Sequence, residues 1–355
     1  MSVNRTAEIF SKTGSTGRAL LLAILVSTQL FIQPPAADGA EIPAGMMNDL
    51  YQKAKADKEI VWAASRLPSG AAAVFEARFP GIKLIVVNVP APQLPPRILT
   101  EAQLKRLSID VGTASISSAD PLVERDLLVT LPMLPGLDPK NVTLNNRMVL
   151  ANDLFGGWIY NTRNVSPAEL PRKPEDFLAP RWRGKITIGQ SATPFASWDG
   201  LPADKIQLLL EGLAKQEPVV ATAVQSLDRV ARGESDLTNG AGFNTAALAR
   251  EQGAPIDVVP RSDVYLIPQG LFSVKGLPHP NAANLFIAWA TGTQEGRATL
   301  AKLDFGRHTD CGPRSVEKWL CGKDLTIYAV DTLEKARLDI NLEPMRLKAL
   351  NLLVR

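Results

Sequence analysis

Hydroxyl, amide and guanidinium side chains gather in this sequence where short apolar runs end. Ser65, Arg66 and Ser69 follow the run at 59–64, and Ser115, Ser117 and Ser118 follow the one at 109–113. Gln190 and Ser191 follow 185–189, and Asn239, Gly242 and Asn244 follow the short run near Leu237. These groups suit reversible binding of a small polar molecule. Arginine offers a two-pronged fork to carboxylate or phosphate, hydroxyls beside free helix N–H groups suit ligand oxygens, and Gly240 and Gly242 allow close backbone approach. Each group has a plainer reading beside it: helix capping by Ser69, Ser118, Asp120 or Asn244, a solvated Arg66, or a tight turn at 239–244. Trp158 and Tyr160 alternate with Ile159 and so share one strand face, where Tyr160 reads either as a ligand contact or as a residue that locks a hinge. Tyr265 is the last candidate, at the far end of a second apolar crossing.

The sequence offers little for covalent chemistry. It has no Gly-x-Ser-x-Gly elbow, no His-Glu-x-x-His and no Walker Lys-Ser/Thr after its glycines, and its only histidines are His279 and His308. No catalytic residue, cofactor or metal ligand is expected. The only cysteines, Cys311 and Cys321, read as one local disulfide closing a Gly- and Pro-containing loop, with two buried thiols as the alternative. Structural zinc needs about four ligands, and no Cys/His cluster supplies them.

Residues 1–40 carry early basic residues, an apolar run at 19–32 and a small-residue stretch at 33–40, the order of a secretory signal peptide. The apolar run falls short of the roughly 20 residues of a membrane span, with an uncleaved N-terminal anchor as the alternative. Export to the periplasm is therefore expected. The formal net charge of +3 in 355 residues predicts no strong field for nucleic acid. A composition of 45% hydrophobic and 21% charged residues is that of a globular protein at the size where one core gives way to two. A monomer is expected.

The elements that must hold these groups alternate along the chain. Helices are predicted at 46–58, 69–79 and 95–108, with strands at 59–64, 83–89 and 109–113, a βαβαβ order that implies a parallel sheet with helices on its faces. Two apolar runs at 148–160 are followed by a Pro- and charge-rich connector at 161–183. A second set then predicts strands at 185–189, near 237 and at 256–259, with helices at 203–216, 219–233 and 244–252. Strands at 264–268 and 271–274 precede helices at 281–291 and 294–303, for which Asn281 and Thr293 read as caps. The stretch 342–353 reads as an amphipathic helix across the first lobe. The fold class is α/β, with two Rossmann-like lobes. Residues 46–150 and 262–355 would form lobe 1, 161–258 lobe 2, and the hinge crossings would lie near 151–160 and 259–265.

Several stretches, in order, resemble a known family. LYQKAKADKEIVWAAS (50–65), FEARFPGIKLIVVN (75–88), GWIYNTR (157–163), DFLAPRWRGKITIG (176–189), GAPIDVVP (253–260) and LFSVKGLPHPNAANLFIAWATGTQEGR (271–297) look like those of a type 2 periplasmic binding protein. The group resembled is the ferric-iron-binding-protein-like solute receptors of ABC transporters. The match runs over most of residues 46–300, and 304–355 match less well. The resemblance implies two α/β lobes joined by crossover hinge strands, a ligand in the cleft and closure around it. It also implies docking on an inner-membrane ABC permease. Iron-binding members supply two adjacent tyrosines near the 239–244 loop. Here that loop reads Gly240-Ala241-Gly242-Phe243, and none of Tyr51, Tyr160, Tyr265 and Tyr328 are neighbours. The expected solute is accordingly a small organic molecule, anionic if Arg66 and helix N-termini face it. A ferric-iron or metal-chelate binder is the alternative, and a ligand sensor for a membrane kinase is the alternative of another class.

Overall fold

The computed structural model describes residues 41–64, 68–89, 93–260, 263–309 and 311–352. The signal-peptide segment and the candidates Ser65 and Arg66 lie outside the described residues. Two sheets organise the rest. The first begins as the sequence pattern predicts: α1 (Ala44–Ala54), β1 (Glu59–Ala64), α2 (Ala71–Arg78), β2 (Lys83–Asn88), α3 (Leu94–Gln103), β3 (Val111–Ser115) and α4 (Ile116–Glu124). β1 pairs in parallel with both β2 and β3. Parallel strands need crossover helices, and these put one apolar cluster around Trp62, Phe75 and Phe286 and a second around Ile98, Leu122 and Phe272.

Two long strands complete this sheet and leave it. β5 (Met148–Gly156) pairs at its edge with β4 (Val142–Thr143), and β11 (Asp263–Ser273) lies between β5 and β3, antiparallel to both. The two runs expected at 264–268 and 271–274 are this one strand, interrupted only by a bulge at Gln269/Gly270. After Gly157 and Trp158 the chain enters the second sheet as β6 (Ile159–Asn161), and it returns through β10 (Ile256–Val258), paired antiparallel to β6. The two crossings thus run side by side, with ladders on both flanks. Asn161 ends β6 by accepting from the Arg163 and Asn164 N–H groups while donating to the Val230 carbonyl.

The second sheet has the order β10-β6-β9-β7-β8, with β7 (Ile186–Gly189), β8 (Val219–Ala221) and β9 (Leu237–Thr238) mutually parallel where they pair. The helix expected at 219–233 is in fact β8 followed by α6 (Ala223–Arg232). The β-branched Val219 and Val220 favour the strand, and Thr222 and Gln225 form a capping box that starts the helix. α5 (Ala203–Ala214) and α7 (Phe243–Glu251) cover the faces.

The remaining chain departs most from expectation. α8 (Pro280–Gly292) and α9 (Gln294–Lys302) pack on the first sheet, and Thr293 caps α9 by accepting from the Gly296 N–H, as predicted. Asn281 does not cap α8. That role falls to Asp57, which accepts from the Asn281 and Ala282 N–H groups at 2.7 and 2.9 Å. Beyond α9, α10 (Ser315–Leu320) packs on α7 through Trp319 and Phe243, at 5.4 Å between ring centroids. β12 (Thr326–Ala329) adds in parallel to the hinge end of β11. α11 (Leu333–Ala349) then contacts α4 on one side and α5 on the other. The stretch 262–355 therefore does not belong to the first lobe alone: Ala349 and Leu350 enter the apolar cluster of Leu209 and Trp182, and Val316, Trp319 and Leu320 enter that of Phe243 and Ile256. The terminal helix is α11, not 342–353, and it ties the two lobes together. Among the described residues, no helix is long and apolar enough to cross a membrane.

Candidate functional site

The carboxyl ends of β1, β2 and β3 and those of β7, β8 and β9 are the places where an open α/β sheet presents ligand groups. In the first lobe, β3 runs into α4 with no intervening loop. Ser115 is its N-cap: the hydroxyl accepts from the Ser118 N–H at 3.1 Å and donates to Ser118 Oγ at 3.0 Å. The expected caps Ser118 and Asp120 are replaced because the helix starts earlier, at Ile116. Ser117 and Ser118 are half-buried in that first turn. Asp120 points elsewhere and accepts two hydrogen bonds from Arg337 of α11, at 3.0 and 2.9 Å. Ser69 is exposed in a turn closed by the Ala71 N–H on the Pro68 carbonyl. Gly70, at φ 88°, takes the cap position expected for Ser69.

In the second lobe, two loops meet. Gly240, after β9, lies so close to the Gly189 N–H and the Ser226 side chain that a Cβ at position 240 would overlap both. The Gly240 N–H is held on Thr238 Oγ1 at 3.0 Å. This apposition places Gly240, the residue after Asn239, against the end of β7, the strand that Gln190 and Ser191 follow. Both of those are exposed, and Ser191 Oγ lies 2.6 Å from Thr193 Oγ1. Gln190 also lines a cavity of about 680 Å³ with Val219, Val220 and Leu350. Asn239 is 1% exposed, and neither its Nδ2 nor its Oδ1 has a hydrogen-bond partner among the described residues. Buried amides are almost always paired, so one left open at a strand's carboxyl end needs an explanation.

The hinge candidates sit on the other side of this loop. Gly242 forms an isolated bridge with Gly156, and the Tyr265 ring packs so tightly over Gly156 that no side chain fits there. Gly242, rather than Asn244, takes the N-cap position of α7. Asn244, one residue into the helix, is buried and donates to both carboxylate oxygens of Asp304 at 3.1 and 3.2 Å, joining α7 to the chain after α9. Tyr160 shares its face with Trp158, as the alternation predicts, but that face is the second lobe's core. Burial, and then the Asp257 carboxylate on the neighbouring strand, push its phenol up. The 239–242 loop thus meets the end of β7 at Gly240 and meets β5 at Gly242, whose bridge partner Gly156 lies under the Tyr265 ring. Ser115, Ser117 and Ser118 form a separate group on the first lobe.

Several polar groups at the interlobe junction escaped the sequence pattern. The buried Asp199, after the 3-10 helix Thr193–Trp198, lies 3.2 Å from Arg346 of α11, which also donates to Asp339 at 2.6 Å. Burial raises Asp199 to about 7 against the pull of Arg346, and Asp339 adds to the rise. In the β5 edge, Asp153 holds Arg307 and accepts from the His308 N–H at 2.7 Å. Its carboxyl is pushed up by burial, which outweighs Arg307. Cys311 and Cys321 are bonded to each other, as the sequence suggested, and close the loop that carries α10. Among the described residues, no three His, Cys, Asp or Glu side chains are grouped to hold a metal ion.

No protein-family model matches the chain, and neither does any curated protein. Solved structures do match. Iron-bound HitA from Pseudomonas aeruginosa aligns at 16% identity and TM-score 0.64, over 82% of this chain and 99% of that one. The substrate-binding protein of an ABC transporter from Agrobacterium tumefaciens aligns at 15% identity and TM-score 0.65, over 82% and 94%. AgtB from the same genus and species, in complex with agropinic acid, aligns at 15% identity and TM-score 0.59, over 82% and 98%. With two α/β lobes, paired crossings and likeness to these proteins over 82% of its length, the chain has the fold of the type 2 periplasmic binding proteins.

Proposed function

We propose that the protein is a periplasmic solute receptor that captures a small organic molecule between its lobes and passes it to an ABC permease. Asn239 carries the reading: a buried amide with a free donor and a free acceptor, placed where this fold gathers ligand contacts. The neighbouring groups are hydroxyls, amides and backbone N–H groups, a donor set that fits an uncharged or singly charged organic solute. HitA is described with iron and AgtB with agropinic acid, so proteins of this shape accept both kinds of cargo. The tyrosines here are dispersed: Tyr160 lies in the second lobe's core and Tyr265 over Gly156. That dispersal favours the organic solute over ferric iron. A bonded Cys311–Cys321 pair fits an oxidising compartment. The protein is read as a binding protein and not as an enzyme.

Mass spectrometry of molecules released from protein purified out of its native compartment tests this reading. One dominant small organic compound, absent from the Asn239→Leu variant, is the expected result. Stoichiometric ferric iron with no organic partner would replace the organic cargo with the metal.

A further inference from the structure

A second cavity, of about 280 Å³, lies away from the strand ends just described, between β5, α8, α9 and the 305–314 loop. Its walls are largely apolar and include Leu150, Ala290, Leu300 and Phe305. Three guanidinium groups also reach it. Two are neutralised inside the protein. Arg307 pairs with Asp153, and the buried Arg314 pairs with Glu317 at 2.8 Å and donates to the Gly306 and Arg307 carbonyls. Arg297 differs. Its Nη1 donates to the Thr291 carbonyl at 2.9 Å, closing the end of α8, and it has no carboxylate partner among the described residues. Its Nε and Nη2 make no hydrogen bond among the described residues. The side-chain amide of Asn141, on the same wall, also has no protein partner among the described residues.

A partly open, largely apolar chamber with one guanidinium that has no carboxylate partner among the described residues has a defined chemical preference. The fork matches a carboxylate in two parallel charge-assisted hydrogen bonds, and the walls match an apolar body. A dication or a bare hydrocarbon would meet either repulsion or an unmatched charge. We propose that this chamber is a second binding site, distinct from the interlobe site, for a small carboxylate with an apolar body, held by Arg297.

Calorimetric titration of the full chain with benzoate, and separately with its neutral counterpart benzamide, tests the proposal. Benzoate is expected to bind with one-to-one stoichiometry and benzamide at least tenfold more weakly. Arg297→Gln should weaken benzoate at least tenfold. Arg297→Lys, which keeps the charge but loses the fork, should fall between, and Ala301→Phe, which fills the chamber from its partly exposed wall, should abolish binding. Circular dichroism on each variant verifies folding. Asn239→Leu should leave benzoate binding unchanged, which separates this site from the interlobe one. Absence of benzoate binding to the wild-type protein at millimolar concentration, equal affinity in Arg297→Gln, or loss in Asn239→Leu would each overturn it.

Discussion

Arg346, wholly buried on the terminal helix, lies 3.2 Å from Asp199 in the second lobe, while one face of the same helix grips Asp120 of the first lobe through Arg337. α11 is thus anchored ionically at both ends of the interlobe junction. A buried pair is costly to break because removing one partner strands the other charge. Arg346→Met is predicted to destabilise the protein by about 3–5 kcal/mol in urea unfolding. Asp199→Leu with Arg346→Met together should recover most of that loss. A double variant as unstable as the single one would show that the arginine acts through Asp339 or packing rather than through Asp199.

The same pair makes stability depend on pH in a definite direction. Asp199 is raised to about 7 in the folded protein, so between its unfolded value and 7 the folded state holds a proton that the unfolded state has released. Its contribution is largest at acid pH, declines as pH rises towards 7 and is level above that. Comparing thermal midpoints from pH 5 to 8, wild type should lose stability relative to Asp199→Asn, by on the order of 1 kcal/mol after allowance for screening. A difference that stays constant across that range, or a wild type that gains stability relative to Asp199→Asn as pH rises, would contradict the assignment.

The disulfide staples the segment that docks on α7. For a loop of ten-residue separation the chain-entropy estimate is about 2–3 kcal/mol. Replacing both cysteines by serine should lower stability by roughly that amount and increase hydrogen exchange in α10 before α8. Uniform loss of protection across both helices would mean that α10 is not a separate unit.

How much of this was legible in the sequence follows from the range of the interactions involved. The βαβαβ opening, the adjacent crossings and the second α/β set follow from local periodicity and turn residues, and the structure shows them with shifts of a few residues. Asn239 is accessible as a candidate because it follows a short apolar run, although nothing local in the chain signals that its amide stays unpartnered. The errors arose where distant chain supplied the partner. Asp57 caps α8 from 224 residues away, so local capping rules pointed to Asn281 instead. α11 carries Arg337 and Arg346 on faces that Asp120 and Asp199 neutralise, and a helix buried through ion pairs lacks the apolar stripe by which helices are read. Only its last turns, packed on Leu209, looked amphipathic.

Asn239 supplies the most direct test. Replacing a buried, unpaired amide with an apolar side chain of similar size should leave the empty protein as stable or more so, while removing contacts to a solute. A thermal-shift screen of wild type and Asn239→Leu over carboxylates, sugars, polyamines, phosphonates and metal chelates measures both effects at once. The account predicts that at least one small organic solute raises the wild-type midpoint saturably, by linkage, and that this rise is lost in Asn239→Leu although its solute-free midpoint is not lowered. Equal stabilisation of both proteins by every active solute, or a variant that simply unfolds earlier with no solute effect in either, would contradict it.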